Sequence, residues 1–146
     1  MYGAKKMKFT DFDPKTQQEI VDMLNNHLAT ILDILKDDGC LEPLLAIPDT
    51  KTLVGLQPAD GACDVDVAHA HAVEILKKQH FSYGLFSYST KIMVANGKTV
   101  DAVKTCIFTA KGEEVSFFSP FKVSGLFKKT VRIEKTILAG IAENVF

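Results

Sequence analysis

Alternating hydrophobic and polar positions between residues 81 and 124 predict long antiparallel strands. Two alternating runs, Phe81 to Ala95 and Lys98 to Ala110, meet at Asn96-Gly97. This dipeptide favours a type I′ turn, in which both central residues need positive φ. A third run, Glu114 to Ser124, follows a second turn, and its apolar residues recur at every other position. We therefore expect a three-stranded antiparallel meander.

The two-residue turn also predicts the register of the first hairpin. Counting outward from Ala95 and Lys98 gives these pairs: Ile92 with Asp101, Thr90 with Val103, Tyr88 with Thr105 and Phe86 with Ile107. Neither face of the hairpin is cleanly polar, whereas a sheet with one solvated face alternates apolar and polar residues. We expect helices on one face and a second subunit or a cavity on the other.

Apolar residues at three- and four-residue spacing predict two helices before the meander. Asp13-Pro14 is typical of a helix start, and the first apolar stripe ends at Gly39. Asp64 or Asp66 caps the second helix, which runs to about Gln79. Alternating valines and histidines in this segment leave a strand as an alternative, but its alanines favour the helix.

The remaining segments contribute shorter elements. Prolines between the helices leave room for one short strand, Thr52 to Gln57, and Pro120 indicates a bulge or an edge within the third run. Lys129 to Thr136 alternates as a fourth strand, although apolar residues at four-residue spacing also favour a C-terminal helix. We expect the strand, followed by an irregular or helical tail.

Together these elements predict an α+β fold. Two amphipathic helices are expected to pack on one face of a mainly antiparallel sheet with three to four long strands over residues 81–136 and a short strand near residues 52–57. With 146 residues, 47% of them hydrophobic and 24% charged, the chain is expected to form a single globular domain spanning residues 1–146.

The cysteines and the single arginine limit the expected cellular compartment and the expected class of partner. The three cysteines show no paired spacing, and no apolar run is long enough to span a membrane. Met1 to Phe9 is rich in lysine and lacks the apolar region of a signal peptide, so we expect free thiols in the cytoplasm. Cys63 immediately precedes the second helix, whose dipole would favour a thiolate, but the charges of Asp64 and Asp66 disfavour it. Arg132 is the only arginine, which argues against nucleic-acid binding.

Charge is divided unevenly along the chain. Residues 1–74 hold thirteen acidic residues against six lysines, a net charge of −7, whereas residues 75–146 hold five against eleven basic residues, a net charge of +6. The simplest interpretation is that the helical half and the sheet half attract each other within one fold.

Familiar catalytic and metal-binding motifs are missing from the sequence. The chain has no complete phosphate loop, calcium loop, G-x-S-x-G nucleophile turn or H-E-x-x-H helix. It also has no C-x-x-C pair, so a structural zinc site of that type is not expected, and the sequence assigns no cofactor.

One hypothesis joins His27 and His69, each at the centre of its helix's apolar face. If both helices lie on the same side of the sheet, the two imidazoles point into one interior, where Asp66 could orient His69. Such a site would perform acid–base chemistry or form an incomplete metal site. The aromatic residues expected to line the pocket are Tyr83, Tyr88, Phe86 and Phe108.

Two functions are therefore compared. The favoured one is a non-catalytic module that forms a homodimer or binds a partner protein through the second sheet face or an edge strand. The alternative is a small enzyme or ligand-binding protein that uses His27 and His69. The order of elements is similar to that of the cone-shaped nuclear-transport-factor-like folds, and this similarity of layout implies a pocket between sheet and helices.

Overall fold

The computed structural model describes residues 7–56, 64–125 and 130–146, and it confirms an α+β fold with a mainly antiparallel sheet. Its helices and strands are α1 (Pro14–Asp38), β1 (Leu44–Ile47), β2 (Thr52–Gly55), α2 (Val65–Lys77), β3 (Tyr83–Met93), β4 (Thr99–Thr109), β5 (Glu114–Ser124), β6 (Thr130–Ile133) and β7 (Ile137–Ala142). The strand order is β2-β1-β3-β4-β5-β6, and β7 also pairs with β5. Gln57 and Cys63, on which two expectations depend, lie outside the described residues.

Both predicted helices form, with capping that explains where they begin. The Asp13 carboxylate accepts a hydrogen bond from the backbone N–H of Thr16 (2.8 Å), and α1 ends at Gly39, whose φ is 74°. Asp64 caps α2 by accepting from the N–H groups of Asp66 and Val67, so the helix rather than the alternative strand is correct. Within the described ranges, neither helix has the length and apolarity that a membrane span requires.

The β3–β4 hairpin is present, but its predicted register is wrong by one residue. The N–H of Gly97 donates to the carbonyl of Val94, and the N–H of Val94 donates to the carbonyl of Lys98, so the loop contains three residues. Gly97 has a φ of 80°, whereas Asn96 keeps a negative φ, as in a turn that ends on one left-handed glycine. The observed pairs include Phe86 with Cys106, Tyr88 with Lys104 and Thr90 with Ala102.

The two helices cover opposite faces of the sheet, so the expectation that they share one face is wrong. The α1 helix packs on the face that carries Leu85 and Ile107, which we call the α1 face. The α2 helix packs on Phe86, Cys106 and Phe108, which define the α2 face. Neighbouring residues of a strand point to opposite faces, and here both alternating sets are apolar. Each face therefore needs a helix of its own.

The C-terminal segment contains two strands. The predicted fourth strand is confirmed as β6, but the expected irregular or helical tail is β7, because pairing with β5 outweighs the four-residue spacing of its isoleucines. The long edge of β5 is divided: β7 pairs with Glu114–Phe118 and β6 with Phe121–Ser124. Pro120 lies between these two pairings, and its carbonyl accepts a hydrogen bond from the N–H of Glu134. The nitrogen of Pro120, which has no hydrogen to donate, therefore faces the space between β6 and β7. Strand β1 was not predicted.

Candidate functional site

Three different donor side chains, one each from α2, β4 and β5, meet on the α2 face. His69 Nε2 lies 2.7 Å from Glu114 Oε1, and one donor atom from each of His69, Cys106 and Glu114 lies within 4.8 Å of the others. We call these three residues the His69 cluster. Ser116 supports it, because its Oγ lies 3.6 Å from Cys106 Sγ and 3.4 Å from Glu114 Oε2. The cluster thus combines an imidazole, a thiol and a carboxylate from three separate elements.

Charge and burial act on the cluster in opposite directions. The hydrogen bond with Glu114 raises the pKa of His69, and partial burial of the imidazole opposes that rise. Burial, together with the nearby Glu114 charge, raises the pKa of the Cys106 thiol to about 12. In the absence of a metal ion Cys106 is therefore a neutral thiol and a poor nucleophile. Cys106 is also buried, as a small core residue would be.

Glu114 occupies the orienting position that the sequence suggested for Asp66. The Asp66 side chain is exposed in the first turn of α2, and its charge makes only a minor contribution to the raised pKa of His69. Within the described residues, the carboxylate that hydrogen-bonds His69 is Glu114, 45 positions further along the chain. A catalytic role for His69 or Asp66 stays a prediction.

Two of the four predicted pocket aromatics, Phe86 and Phe108, contact His69, and a third, Tyr88, packs against Phe86. The ring centroids of Phe86 and Phe108 each lie 5.6 Å from that of the imidazole, and the Tyr88 ring lies 5.6 Å from the Phe86 ring at a tilt of 51°. Burial is the main cause that raises the pKa of Tyr88 to about 12. Tyr83 lies on the α1 face instead, where its hydroxyl donates to Glu19 at 2.7 Å. Burial and that hydrogen bond raise the pKa of Tyr83 to about 12.

His27 lies on the α1 face, with its Nε2 2.5 Å from Ser87 Oγ. Burial lowers the pKa of His27 to about 4, so the imidazole is neutral near neutral pH. The ring borders a groove of about 410 Å³ between α1 and the β1–β2 hairpin. The other lining residues are polar or aliphatic and include Asn26, Thr30, Lys51, Met23, Leu53 and Leu85. This groove is thus distinct from the aromatic surroundings of His69.

The structure does not bring His27 and His69 together. His27 contacts Ser87 on the α1 face, whereas His69 contacts Phe86, the preceding residue, on the α2 face. The sheet itself separates the two imidazoles, so a single acid–base or metal site containing both cannot form. Any chemistry of these histidines must occur at two independent places.

A third feature is the exposed edge strand β7. Its sequence, Ile-Leu-Ala-Gly-Ile-Ala, contains no charged residue, and five of its six residues are exposed. Ile137 and Leu138 are 50% and 45% exposed. Among the described strands β7 pairs with β5 alone, so its second backbone edge has no strand partner there. Edge strands of natural proteins usually carry charges, prolines or bulges that limit pairing with another chain. Strand β7 has no charge and no proline, although its register with β5 shifts between Ser116 and Phe117, opposite Ala139.

Sequence reasoning missed the contributions of Cys106, Glu114 and Ser116. The alternation of β4 and β5 carried the information that these residues share a face. Cys106 pairs with Ser116, and Phe108 pairs with Glu114, on the same side of the sheet. The side chain of Glu114 is only 13% exposed, which is unusual for a glutamate without a partner.

Comparison of the chain with known proteins assigns it to no family. No family model, curated protein or solved structure matches the chain. The similarity of layout to nuclear-transport-factor-like folds gains no support from these comparisons.

Proposed function

We propose that this protein is a non-catalytic interaction module that forms a homodimer through strand β7. The observation that carries the proposal is the uncharged, exposed edge of residues 137–142. An edge of this kind presents unpaired N–H and C=O groups to another strand. Pairing with a second chain would satisfy those groups and cover Ile137 and Leu138. The free thiols Cys40 and Cys106 are compatible with work in a reducing compartment such as the cytoplasm.

A second copy of the chain is the partner that suits this edge. Two identical strands paired antiparallel are related by a two-fold axis at their centre, and the small residues Ala139 and Gly140 occupy the centre of β7. An uncharged strand meets no like charges in its own copy. The whole chain carries a formal net charge of only −1, so long-range repulsion between two copies is weak.

The expected affinity is moderate. Two six-residue strands share about six backbone hydrogen bonds, each contributing about 0.5–1.5 kcal/mol net. Association costs roughly 4–15 kcal/mol in lost translational and rotational freedom. Backbone pairing alone therefore barely offsets the cost of association, and burial of Ile137 and Leu138 must supply the rest. The dimer should accordingly dissociate on dilution.

The test is the mass of the untagged protein in solution over a wide concentration range, by native mass spectrometry and light scattering. Ile137→Lys places a charge on the pairing edge and should yield a monomer, because lysine on an edge opposes pairing. The matched control is Leu53→Lys, at a residue 54% exposed on β2, the opposite end of the sheet. A wild type that stays monomeric throughout, or a dimer that survives Ile137→Lys, contradicts the proposal.

The groove beside His27 favours ligand binding as a second candidate function. Its volume of about 410 Å³ lies in the range of small-molecule sites, and it combines aliphatic walls with Asn26, Thr30 and Lys51. The same native spectra distinguish the candidates, because a ligand adds mass to the monomer. Leu85→Trp, which fills the groove, should then remove that added mass, and added mass that persists would assign the ligand elsewhere.

A further inference from the structure

We propose that His69, Cys106 and Glu114 form a binding site for a divalent transition-metal ion, for which Zn²⁺ is the best match. The site lies on the α2 face and involves no residue of β7, so it goes beyond the proposed dimer. One ligand would come from α2, one from β4 and one from β5.

The three donor atoms are close to the geometry that zinc requires. Zinc binds nitrogen, oxygen and sulfur at about 2.0–2.3 Å, which places tetrahedral ligand atoms roughly 3.3–3.8 Å apart. In the structure all three donor atoms lie within 4.8 Å of one another, and His69 Nε2 lies 2.7 Å from Glu114 Oε1. A bound ion would move His69 Nε2 and Glu114 Oε1 apart by less than about 1 Å. Side-chain rotation, without backbone movement, covers changes of this size.

The donor set selects among metals. Calcium and magnesium prefer all-oxygen surroundings, whereas a thiolate with an imidazole and a carboxylate suits zinc and similar borderline ions. The thiolate and carboxylate together carry two negative charges, which balance the ion while His69 stays neutral. Binding releases the Cys106 thiol proton, and it also releases the second imidazole proton from any His69 that is charged.

Neighbouring side chains support the proposed metal ligands on one side of the site, and solvent reaches the site on the other. Phe86 and Phe108 form an apolar wall beside the imidazole. The Ser116 Oγ lies 3.6 Å from Cys106 Sγ and 3.4 Å from Glu114 Oε2, so its single O–H can donate to one or the other of these two ligands. The His69 side chain is 33% exposed, so an ion can enter from that side. Three protein ligands leave a fourth position for water or another small ligand.

A simple ion pair accounts for only part of this arrangement. His69 and Glu114 would satisfy each other without Cys106 or Ser116 nearby. A metal site also explains the third donor, the Cys106 thiol, which comes from another strand and differs chemically from the other two. Its position under α2 also means that metal binding would connect α2 to β4 and β5.

The test uses untagged full-length protein carrying Cys40→Ser and Cys63→Ser, so that Cys106 is the remaining thiol. After treatment with a chelator, the folded protein is titrated with Zn²⁺ in competition with a colorimetric chelator, and separately with Co²⁺. We expect one equivalent of each metal, and for Co²⁺ the visible bands of a tetrahedral site together with a near-ultraviolet band from thiolate-to-cobalt charge transfer.

Ligand variants should weaken binding selectively. Glu114→Gln, His69→Gln and Cys106→Ser should each lower zinc affinity at least about tenfold, since even indirect supports of a metal site are worth that much. The matched control is His71→Gln, at an exposed residue of the same helix, and this variant should bind zinc as the parent does. Circular dichroism checks that each variant is folded.

Two results would overturn the proposal. One is a folded, metal-free parent that binds no stoichiometric Zn²⁺; the other is a Co²⁺ complex without the thiolate band. The cobalt spectrum needs no substitution at the site, so it decides the matter even where Cys106→Ser fails to fold. The proposed dimer is measured separately, as the solution mass in chelator and in zinc, so either proposal can fail without the other.

Discussion

His27 makes the stability of this protein depend on pH in a predictable direction. Its imidazole is buried and its pKa is lowered to about 4, from an ordinary value of 6.5. The unfolded chain therefore binds a proton at His27 between these two values, whereas the folded chain does not. A group with a lowered pKa stabilises the fold above its unfolded value and loses that contribution as pH falls toward its folded value. Stability from His27 should thus decline as pH falls from 6.5 to about 4.

The size of the effect follows from the same two values. Each pKa unit corresponds to about 1.4 kcal/mol, so the complete loss is about 3 kcal/mol. Between about pH 7 and pH 5 roughly 2 kcal/mol of this should be lost. Other groups also titrate in this range, including His69, whose raised pKa acts in the opposite sense. A comparison of two proteins that differ only at residue 27 removes these common contributions.

The assay is urea unfolding of the wild type and of His27→Gln, followed by circular dichroism at several pH values. Glutamine keeps a polar group opposite Ser87 but cannot become charged in this range. The wild type should lose about 2 kcal/mol more than the variant between about pH 7 and pH 5. His71→Gln, on the exposed face of α2, is the matched control and should follow the wild type. Equal pH dependence in wild type and His27→Gln would refute the reasoning.

Packing, buried polarity and helix capping give three further expectations. An added Cβ at Gly84 would lie 2.8 Å and 2.9 Å from two Leu76 methyl carbons, so Gly84→Ala should lower the free energy of unfolding by about 1–3 kcal/mol. That loss should shrink in a Leu76→Val background, as a double-mutant cycle by thermal unfolding would show. The Thr105 hydroxyl is buried and has no hydrogen-bond partner among the described residues. Thr105→Val should therefore raise the free energy of unfolding in urea by up to about 1 kcal/mol, whereas Thr105→Ser, which keeps the hydroxyl, should not. Asp13→Ala removes the α1 cap and should lower thermal stability by about 1 kcal/mol, whereas an unchanged midpoint would show that the cap contributes nothing.

Local sequence signals predicted the elements better than their arrangement. Caps at Asp13 and Asp64 placed both helix starts correctly, because capping depends on side chains within three residues of the helix end. The hairpin register failed by one residue because Asn96-Gly97 is compatible with both a two-residue and a three-residue loop. Choosing between them requires the packing of whole strand faces, which is not local information.

The candidate site was predictable only in part for the same reason. His69 and its aromatic neighbours were identified from periodicity, but its partner Glu114 lies 45 positions away and is fixed by the β4–β5 pairing. The pairing of His27 with His69 failed because helical phase shows which side of a helix is apolar, not which face of the sheet it covers. Strand β7 was missed because its edge pairing with β5 is likewise a long-range choice.

The placement of α1 and α2 on opposite sides of the sheet has a consequence for synthesis of the chain. Both helices precede the β3–β5 meander in sequence, so both leave the ribosome before the strands they cover. Each apolar face of the meander can therefore be covered as soon as it forms. A rearranged gene that placed the meander first would release a sheet with two bare apolar faces, and such a nascent chain should depend on chaperones or aggregate.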